Sequence, residues 1–455
     1  MPSVADYLLV FGVAALTTFL GTAGMRRLAP RIGAIVMPDE RRVHERPTAT
    51  LGGAAMALGF LVAFGVAWLS GSFSSMFAAQ TESIGIVLAV LVIFAVGAID
   101  DLRDISAPAK TAGMVLAGSI LSAAGVSIVV FRVPFFGLSF LSPDLSTLVT
   151  VLWVVGMMNA INLIDGLDGL AAGITAIAAG TFFLYSMRLA NLDVLVPGNP
   201  AALIAIIVAG LCVGFLPHNF HPARIFMGDA GALLLGLLMA TSTIMVGGRT
   251  SQAFSGQAYF FFAPIFIPLV ILGVPILDTL LAIVRRASRR TGIASADKNH
   301  LHHRLMRLGH GQRRSVLILW AWTALLSGFV LYPTYNEGKG DAFVPTGIAA
   351  LGLVLYTALH PGVRQRRNGD APDAPGDAVA AAGDDAAVAA AGDDAAVAAA
   401  GDGADAVVVL PDTARSTVDE GPAVQPSVRR AEHRGGPGAR VRGEPATGGQ
   451  NLPRS

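Results

Sequence analysis

About eleven predominantly apolar stretches run through this chain, at about 5–25, 51–70, 83–99, 110–130, 146–160, 169–187, 200–216, 230–246, 258–284, 315–333 and 342–360. Stretches of this length are what a helix needs to cross a hydrocarbon core of roughly 30 Å. Within that core the backbone must satisfy its own hydrogen bonds, so the stretches predict helices, joined by polar loops that alternate between the two faces. Composition agrees: 53% of the 455 residues are hydrophobic and 14% are charged, against roughly 25% charged in soluble domains. The reading is an all-α integral membrane protein of about eleven transmembrane helices. Cys212 is the one cysteine and sits in an apolar stretch, which excludes a disulfide scaffold. A formal net charge of +1 offers no field to attract nucleic acid.

The charges are more informative by position than by sum. No basic residue precedes the first stretch, while Arg26 and Arg27 follow it, the reverse of a secretory signal peptide. The loops at 26–50, 100–109, 161–168, 217–229 and 285–314 together hold 17 Lys and Arg, and the alternate loops hold 4. The positive-inside rule places the first set in the cytoplasm. The amino end is then outside and the carboxyl end inside. From residue 361 the chain turns to Ala, Gly, Asp, Pro and Arg, with GDDAAVAAA at 383–391 and again at 392–400. Such a segment has too few large apolar residues to offset its ordering entropy. Residues 1–360 therefore read as a polytopic membrane domain and 361–455 as a disordered cytoplasmic tail.

Carboxylates are costly near a bilayer, and here they gather. Asp100, Asp101 and Asp104 end the third stretch, Asp165 and Asp168 lie in NLIDGLDGLAAG, and Asp229 precedes the eighth stretch in IFMGDAG. All six fall on the cytoplasmic loop set. If the third helix continues through residue 104, i,i+3 and i,i+4 spacing puts at least two of these carboxylates on one face. Clustered carboxylates repel unless a cation neutralises them, and an all-oxygen donor set favours Mg²⁺ or Mn²⁺ over zinc. Solvated acids at helix ends are the plain alternative. Gly166 and Gly169 permit tight turns, and Asn159 and Asn162 add amides that need partners in an apolar setting. The same residues also suit helix packing and capping.

Loop 285–314 carries nine basic residues and HLHHR, with His300, His302, His303 and Arg304. These donors suit a pyrophosphate, with zinc binding as the rival. Asp39, Arg41, Arg42, His44 and Arg46 in the first cytoplasmic loop, beside Gly52 and Gly53, form another anion-friendly surface, and Asp278 is an ionisable residue inside the ninth stretch.

In order along the chain, PDERRVHERPTATLGG, GAIDDLRDIS, NAINLIDGLDGLAAG, PARIFMGDAG and DKNHLHHRL resemble the motifs of the polyprenyl-phosphate N-acetylhexosamine-1-phosphate transferases. That integral membrane family includes initiators of O-antigen, teichoic acid and arabinogalactan linker synthesis and, more distantly, lipid I synthase. HLHHRL and PDERRVH look more like its N-acetylglucosamine branch. The resemblance implies transfer of a sugar 1-phosphate from a UDP-N-acetylhexosamine to a polyprenyl phosphate, with UMP as the second product. It implies catalytic roles for Asp100, Asp101, Asp165, Asp168, His302 and His303. Substrate contacts would come from Asn159, Asn162, Asp104, His44, His300 and Arg304. Mg²⁺, with Mn²⁺ as the alternative, would sit on Asp229, Asp101 and Asp168. A homodimer is left open. Ala232 departs from the family pattern, in which serine commonly follows GDxG.

The residues fit such a reaction independently. The acceptor's phosphate lies at the membrane interface, and the donor nucleotide is cytoplasmic. A metal and cationic side chains would offset the repulsion between the two phosphates. The rivals are a phospho-N-acetylmuramoyl-pentapeptide transferase and, from another class, a polytopic transporter. Transport predicts ionisable residues near the midplane of several helices, whereas here the acids crowd at one face.

Overall fold

The computed structural model describes residues 2–37, 47–133, 137–247, 273, 276, 305–306, 310–336 and 343–359, all within the unit Met1–Ala374. Among the described residues there are ten long helices: α1 (Val4–Leu28), α2 (Gly52–Leu69), α3 (Gln80–Arg103), α4 (Ala107–Ala123), α5 (Pro143–Ile164), α6 (Leu170–Asn191), α7 (Ala201–Asn219), α8 (Gly228–Gly247), α9 (Gln312–Tyr335) and α10 (Phe343–Leu359). Each coincides with one of the apolar stretches. The stretch at 258–284 lies outside the described residues apart from positions 273 and 276, and so does the tail 361–455. Among the described residues, eight helices are long and apolar enough to cross a membrane.

The helix ends follow from local chemistry. Ser3 caps α1 in a reciprocal box: its hydroxyl accepts from the Asp6 amide, and the Asp6 carboxylate accepts from the Ser3 amide at 2.8 Å. Arg26 and Arg27 then sit in the last turn of α1, where the helix dipole favours cations. Tyr7, Val10, Ala14, Thr18 and Thr22 form the buried stripe of α1, at i,i+3 and i,i+4 spacing, while Leu8, Leu9, Leu16 and Leu20 are exposed on the outer faces. That exposed face is the one suited to lipid.

Helix α8 is the axis of the bundle. It is buried on all sides, and α3, α5, α7 and α2 pack around it. Lipid tails are as apolar as leucine, so close packing rather than burial from water holds such helices together. Small residues supply the closeness. A β-carbon added to Gly97 of α3 would lie 2.5 Å from the Ala230 backbone, and one on Gly53 of α2 would meet the Gly231 amide nitrogen. Helix α7 packs between α1 and α6, and α9 packs on α6.

Among the described residues, two small antiparallel ribbons interrupt the helical pattern: β1 (Ile35–Val36) with β2 (Thr48–Ala49), and β3 (Val130–Val133) with β4 (Gly137–Phe140). The second corrects the stretch expected at 110–130. Helix α4 stops at Ala123, Gly125 takes φ +95°, and the β-branched residues that follow enter a strand.

Candidate functional site

The site is built at one end of the bundle, where α3 and α5 finish and α8 begins. Asp100 and Asp101 occupy the last turn of α3, the end at which a helix dipole disfavours negative charge. Other elements offset that penalty. The Asp101 carboxylate caps α8 from outside, accepting from the Asp229 amide at 2.8 Å on Oδ1 and from the Ala230 amide at 3.2 Å on Oδ2. Both are first-turn amides without intrahelical partners. A carboxylate at the wrong end of its own helix thus meets the favourable end of another, 128 residues away.

Gly228 makes that approach possible. Its backbone is left-handed, at φ +68°, and a β-carbon there would collide with both Asp101 carboxylate oxygens. In IFMGDAG the glycine leaves room for a neighbour's carboxylate, and the aspartate supplies its own. Asp229 Oδ1 accepts from the Asn162 amide at 3.0 Å, and its Oδ2 is paired with the Lys110 ammonium. Lys110 also donates to Asp100 Oδ2 at 2.8 Å, while Asp100 Oδ1 accepts from the Ile105 amide at 2.9 Å. Lys110 stands in the first turn of α4, where a cation is disfavoured by the dipole. Two carboxylates facing it reverse that preference.

Asp104 does not join this group. Helix α3 ends at Arg103, and Asp104 takes a left-handed backbone at φ +46° with its side chain exposed, so the i,i+4 face expected with Asp100 is lost. Asn159 is also turned elsewhere, donating to the Val155 carbonyl of its own helix and to Met114 Sδ.

Asp165 follows α5 and faces the acids. Burial, then the charges of Asp229, Asp101 and Asp168, push its carboxyl up to about 8. Asp168 is buried and tied to the α7–α8 connection: its Oδ2 accepts from His221 Nδ1 at 2.8 Å and from the Ala223 amide at 3.0 Å. Asn219 fastens the same connection. It accepts from the Gly169 amide at 3.0 Å and donates to the Ile225 carbonyl at 3.0 Å. On the other side, Phe226 pairs its amide with the Ala49 carbonyl, and Gly52 and Gly53 donate to the Phe226 and Met227 carbonyls. The approach to Asp229 is therefore held from both flanks.

This donor set is all oxygen around a single ammonium, the chemistry that suits a hard divalent cation bridging to phosphates. Among the described residues no three His, Cys, Asp or Glu side chains form a group that could hold a metal ion, and the cation in place among the carboxylates is Lys110. His44, His300, His302, His303, Arg304 and Asp278 lie outside the described residues, as do Asp39, Arg41, Arg42 and Arg46. Ala232 is fully buried, so the departure there is not at a solvent-facing position.

Three participants escape a reading by motif. Lys110 is signalled by its type and place, a lone lysine opening an apolar helix. His221 and Asn219 lie in HNFHPAR, where they show only as loop polar residues.

Similarity to known proteins agrees with the motifs. The glycosyl transferase family 4 model matches residues 83–247, the span from α3 to the end of α8. The chain is 38% identical over 366 residues to decaprenyl-phosphate N-acetylglucosaminephosphotransferase of Mycobacterium tuberculosis, covering 78% of this chain and 88% of that protein. It is 35% identical over 320 residues to a probable undecaprenyl-phosphate N-acetylglucosaminyl 1-phosphate transferase of Bacillus subtilis, covering 70% and 81%. A phospho-N-acetylmuramoyl-pentapeptide-transferase of Moorella thermoacetica is 32% identical over 164 residues, covering 36% of this chain and 46% of its own. The chain belongs to glycosyl transferase family 4, among the polyprenyl-phosphate N-acetylhexosamine-1-phosphate transferases.

Proposed function

We propose that this protein transfers N-acetylglucosamine 1-phosphate from UDP-N-acetylglucosamine to a polyprenyl phosphate, releasing UMP, as the first step of a cell-envelope glycopolymer. The observation that carries the reading is the joining of Asp100, Asp101, Asp229, Asn162 and Lys110 at one end of a bundle of membrane-length helices. Two relatives with long overlaps are named as N-acetylglucosamine phosphotransferases, which favours that donor over a muramoyl-pentapeptide. A transporter would distribute its charges through the membrane, and these gather at its edge.

In the proposed reaction an oxygen of the polyprenyl phosphate attacks the sugar-bearing phosphorus of the donor. The bond from that phosphorus to the bridging oxygen breaks, UMP departs with the bridging oxygen, and a lipid-linked pyrophosphate sugar forms. Lys110 is assigned to the phosphate charge, and Asp100, which shares that ammonium with Asp229, keeps the base role that the family motif implies. Asp101 is the group that fixes the start of α8, and so the direction of Asp229. Mg²⁺, or Mn²⁺ in its place, would be held by Asp229 with Asp165 beside it, supplying charge neutralisation to the phosphates. The metal roles expected for Asp101 and Asp168 are proposed beside that of Asp229; both oxygens of Asp101 and of Asp229, and one of Asp168, already accept protein N–H groups. His302 and His303, with His44, His300 and Arg304, are assigned to the donor pyrophosphate. The acid-rich end is assigned to the cytoplasmic face of the cell membrane, with the amino end outside and the carboxyl tail inside.

UMP release by the purified full chain, with lipid, metal and donor each omitted in turn, tests the reading. Turnover needing all three supports it. Turnover only with UDP-N-acetylmuramoyl-pentapeptide reassigns the donor, and none with either donor removes the transferase reading.

A further inference from the structure

His221 is absent from the chemistry proposed above, yet it makes the one side-chain hydrogen bond to Asp168 among the described residues. Its Nδ1 lies 2.8 Å from Asp168 Oδ2, and the Ala223 amide lies 3.0 Å from the same oxygen. The carboxylate can only accept, so the imidazole donates from Nδ1. Both donors fall on Oδ2. No described group donates to Oδ1, and the Asp168 side chain keeps 10% of its exposure.

The segment that carries His221 is fixed on every side. Asn219 binds Gly169 and Ile225, the Arg224 amide donates to the His218 carbonyl, and the Phe220 ring packs at 5.9 Å from Trp320 of α9. A second residue that fixes one oxygen of a carboxylate sets the direction of the other, as outer-shell partners do for metal ligands and catalytic groups. We propose that His221 is the positioning residue for Asp168, committing Oδ2 so that Oδ1 is presented as a hydrogen-bond acceptor to an N–H or O–H of the donor's nucleoside. The inference rests on the transferase reading, and assigns this part of the site to binding the donor rather than to the bond-breaking step.

Uniform binding of ground and transition states moves KM and leaves kcat. Loss of one hydrogen bond to a charged group is worth about tenfold in affinity. In UMP-release kinetics of the detergent-purified full chain, H221A is expected to raise KM for UDP-N-acetylglucosamine about tenfold, with kcat and KM for the lipid within about threefold of wild type. H221N, whose amide can donate from nearly the position of Nδ1, is expected to restore most of that loss. H221F keeps the ring volume without the donor and carries the expectation of H221A should the alanine variant not elute as a single species. Calorimetric binding of UDP-N-acetylglucosamine to D168N and to D168N/H221A is expected to show no further loss from the second change. An unchanged donor KM in H221A and H221F, a defect in H221N equal to theirs, or an equal added loss in the D168N background overturns the proposal. Failure of the wild type to release UMP would refute the transferase reading instead, and calorimetry on wild type and H221A would still judge His221.

Discussion

Replacing Gly228 with alanine puts a β-carbon into the space that the Asp101 carboxylate occupies. The ideal position lies 2.6 Å from Asp101 Cγ and collides with both carboxylate oxygens, at a residue whose φ is +68°. The left-handed backbone alone costs an L-residue roughly 1–2 kcal/mol. Moving the carboxylate also breaks its bonds to the Asp229 and Ala230 amides, each worth about 1.5–3 kcal/mol because one partner is charged. The sum is a loss of about 4–8 kcal/mol for Gly228→Ala. Asp101→Ala alone forfeits only the two bonds, about 3–6 kcal/mol. With the carboxylate gone, the alanine at 228 adds the backbone strain and little more, so the double variant falls short of additivity by at least about 3 kcal/mol. Unfolding by SDS titration in mixed micelles reads all four proteins. Full additivity would refute the claim that Gly228 is there to admit Asp101.

Lys110→Met leaves Asp100 and Asp229 facing each other without their ammonium; breaking a buried pair costs about 3–5 kcal/mol, and partial exposure here puts the loss at or below the lower end. Unfolding in chelator is expected to show it, with millimolar Mg²⁺ recovering more stability in the variant than in wild type. Asp165→Asn tests the raised carboxyl. Because the folded group holds its proton up to about 8 while the unfolded one releases it near 4, metal-free stability falls as pH rises across that window and levels off above it. The asparagine variant should therefore gain on wild type between pH 5 and pH 8.5, and an equal difference at both pH values would contradict the assignment. Deleting residues 361–455 is expected to leave UMP release within about twofold of the full chain, since none of the motif-bearing acids lies there.

Ten of the apolar stretches could be placed from hydropathy because membrane crossing imposes a length that few other constraints override. Loop alternation alone groups the acids, assigning Asp100, Asp101 and Asp229 to the same side. The details depended on terms that no local pattern carries. Asp104 shares a helix face with Asp100 only if α3 continues through residue 104, and the left-handed turn there ends the helix one residue sooner. Asn162 and Asn159 are the same residue type three positions apart, and only packing sends the first to Asp229 and the second to its own helix. Asp101 shows as one half of an acidic pair in sequence, whereas its role as a cap comes from an α8 that begins 127 residues later in the chain. The β3–β4 ribbon was hidden because its β-branched residues extend an apolar run.

The central claim is that the acids around Lys110 and the start of α8 perform sugar-phosphate transfer. The most direct test is UMP release from the purified full chain with UDP-N-acetylglucosamine, polyprenyl phosphate and Mg²⁺, run beside Asp229→Asn. The account predicts turnover that requires lipid and metal, lost in the variant while the protein remains folded and in the membrane. Wild-type turnover by Asp229→Asn would contradict it.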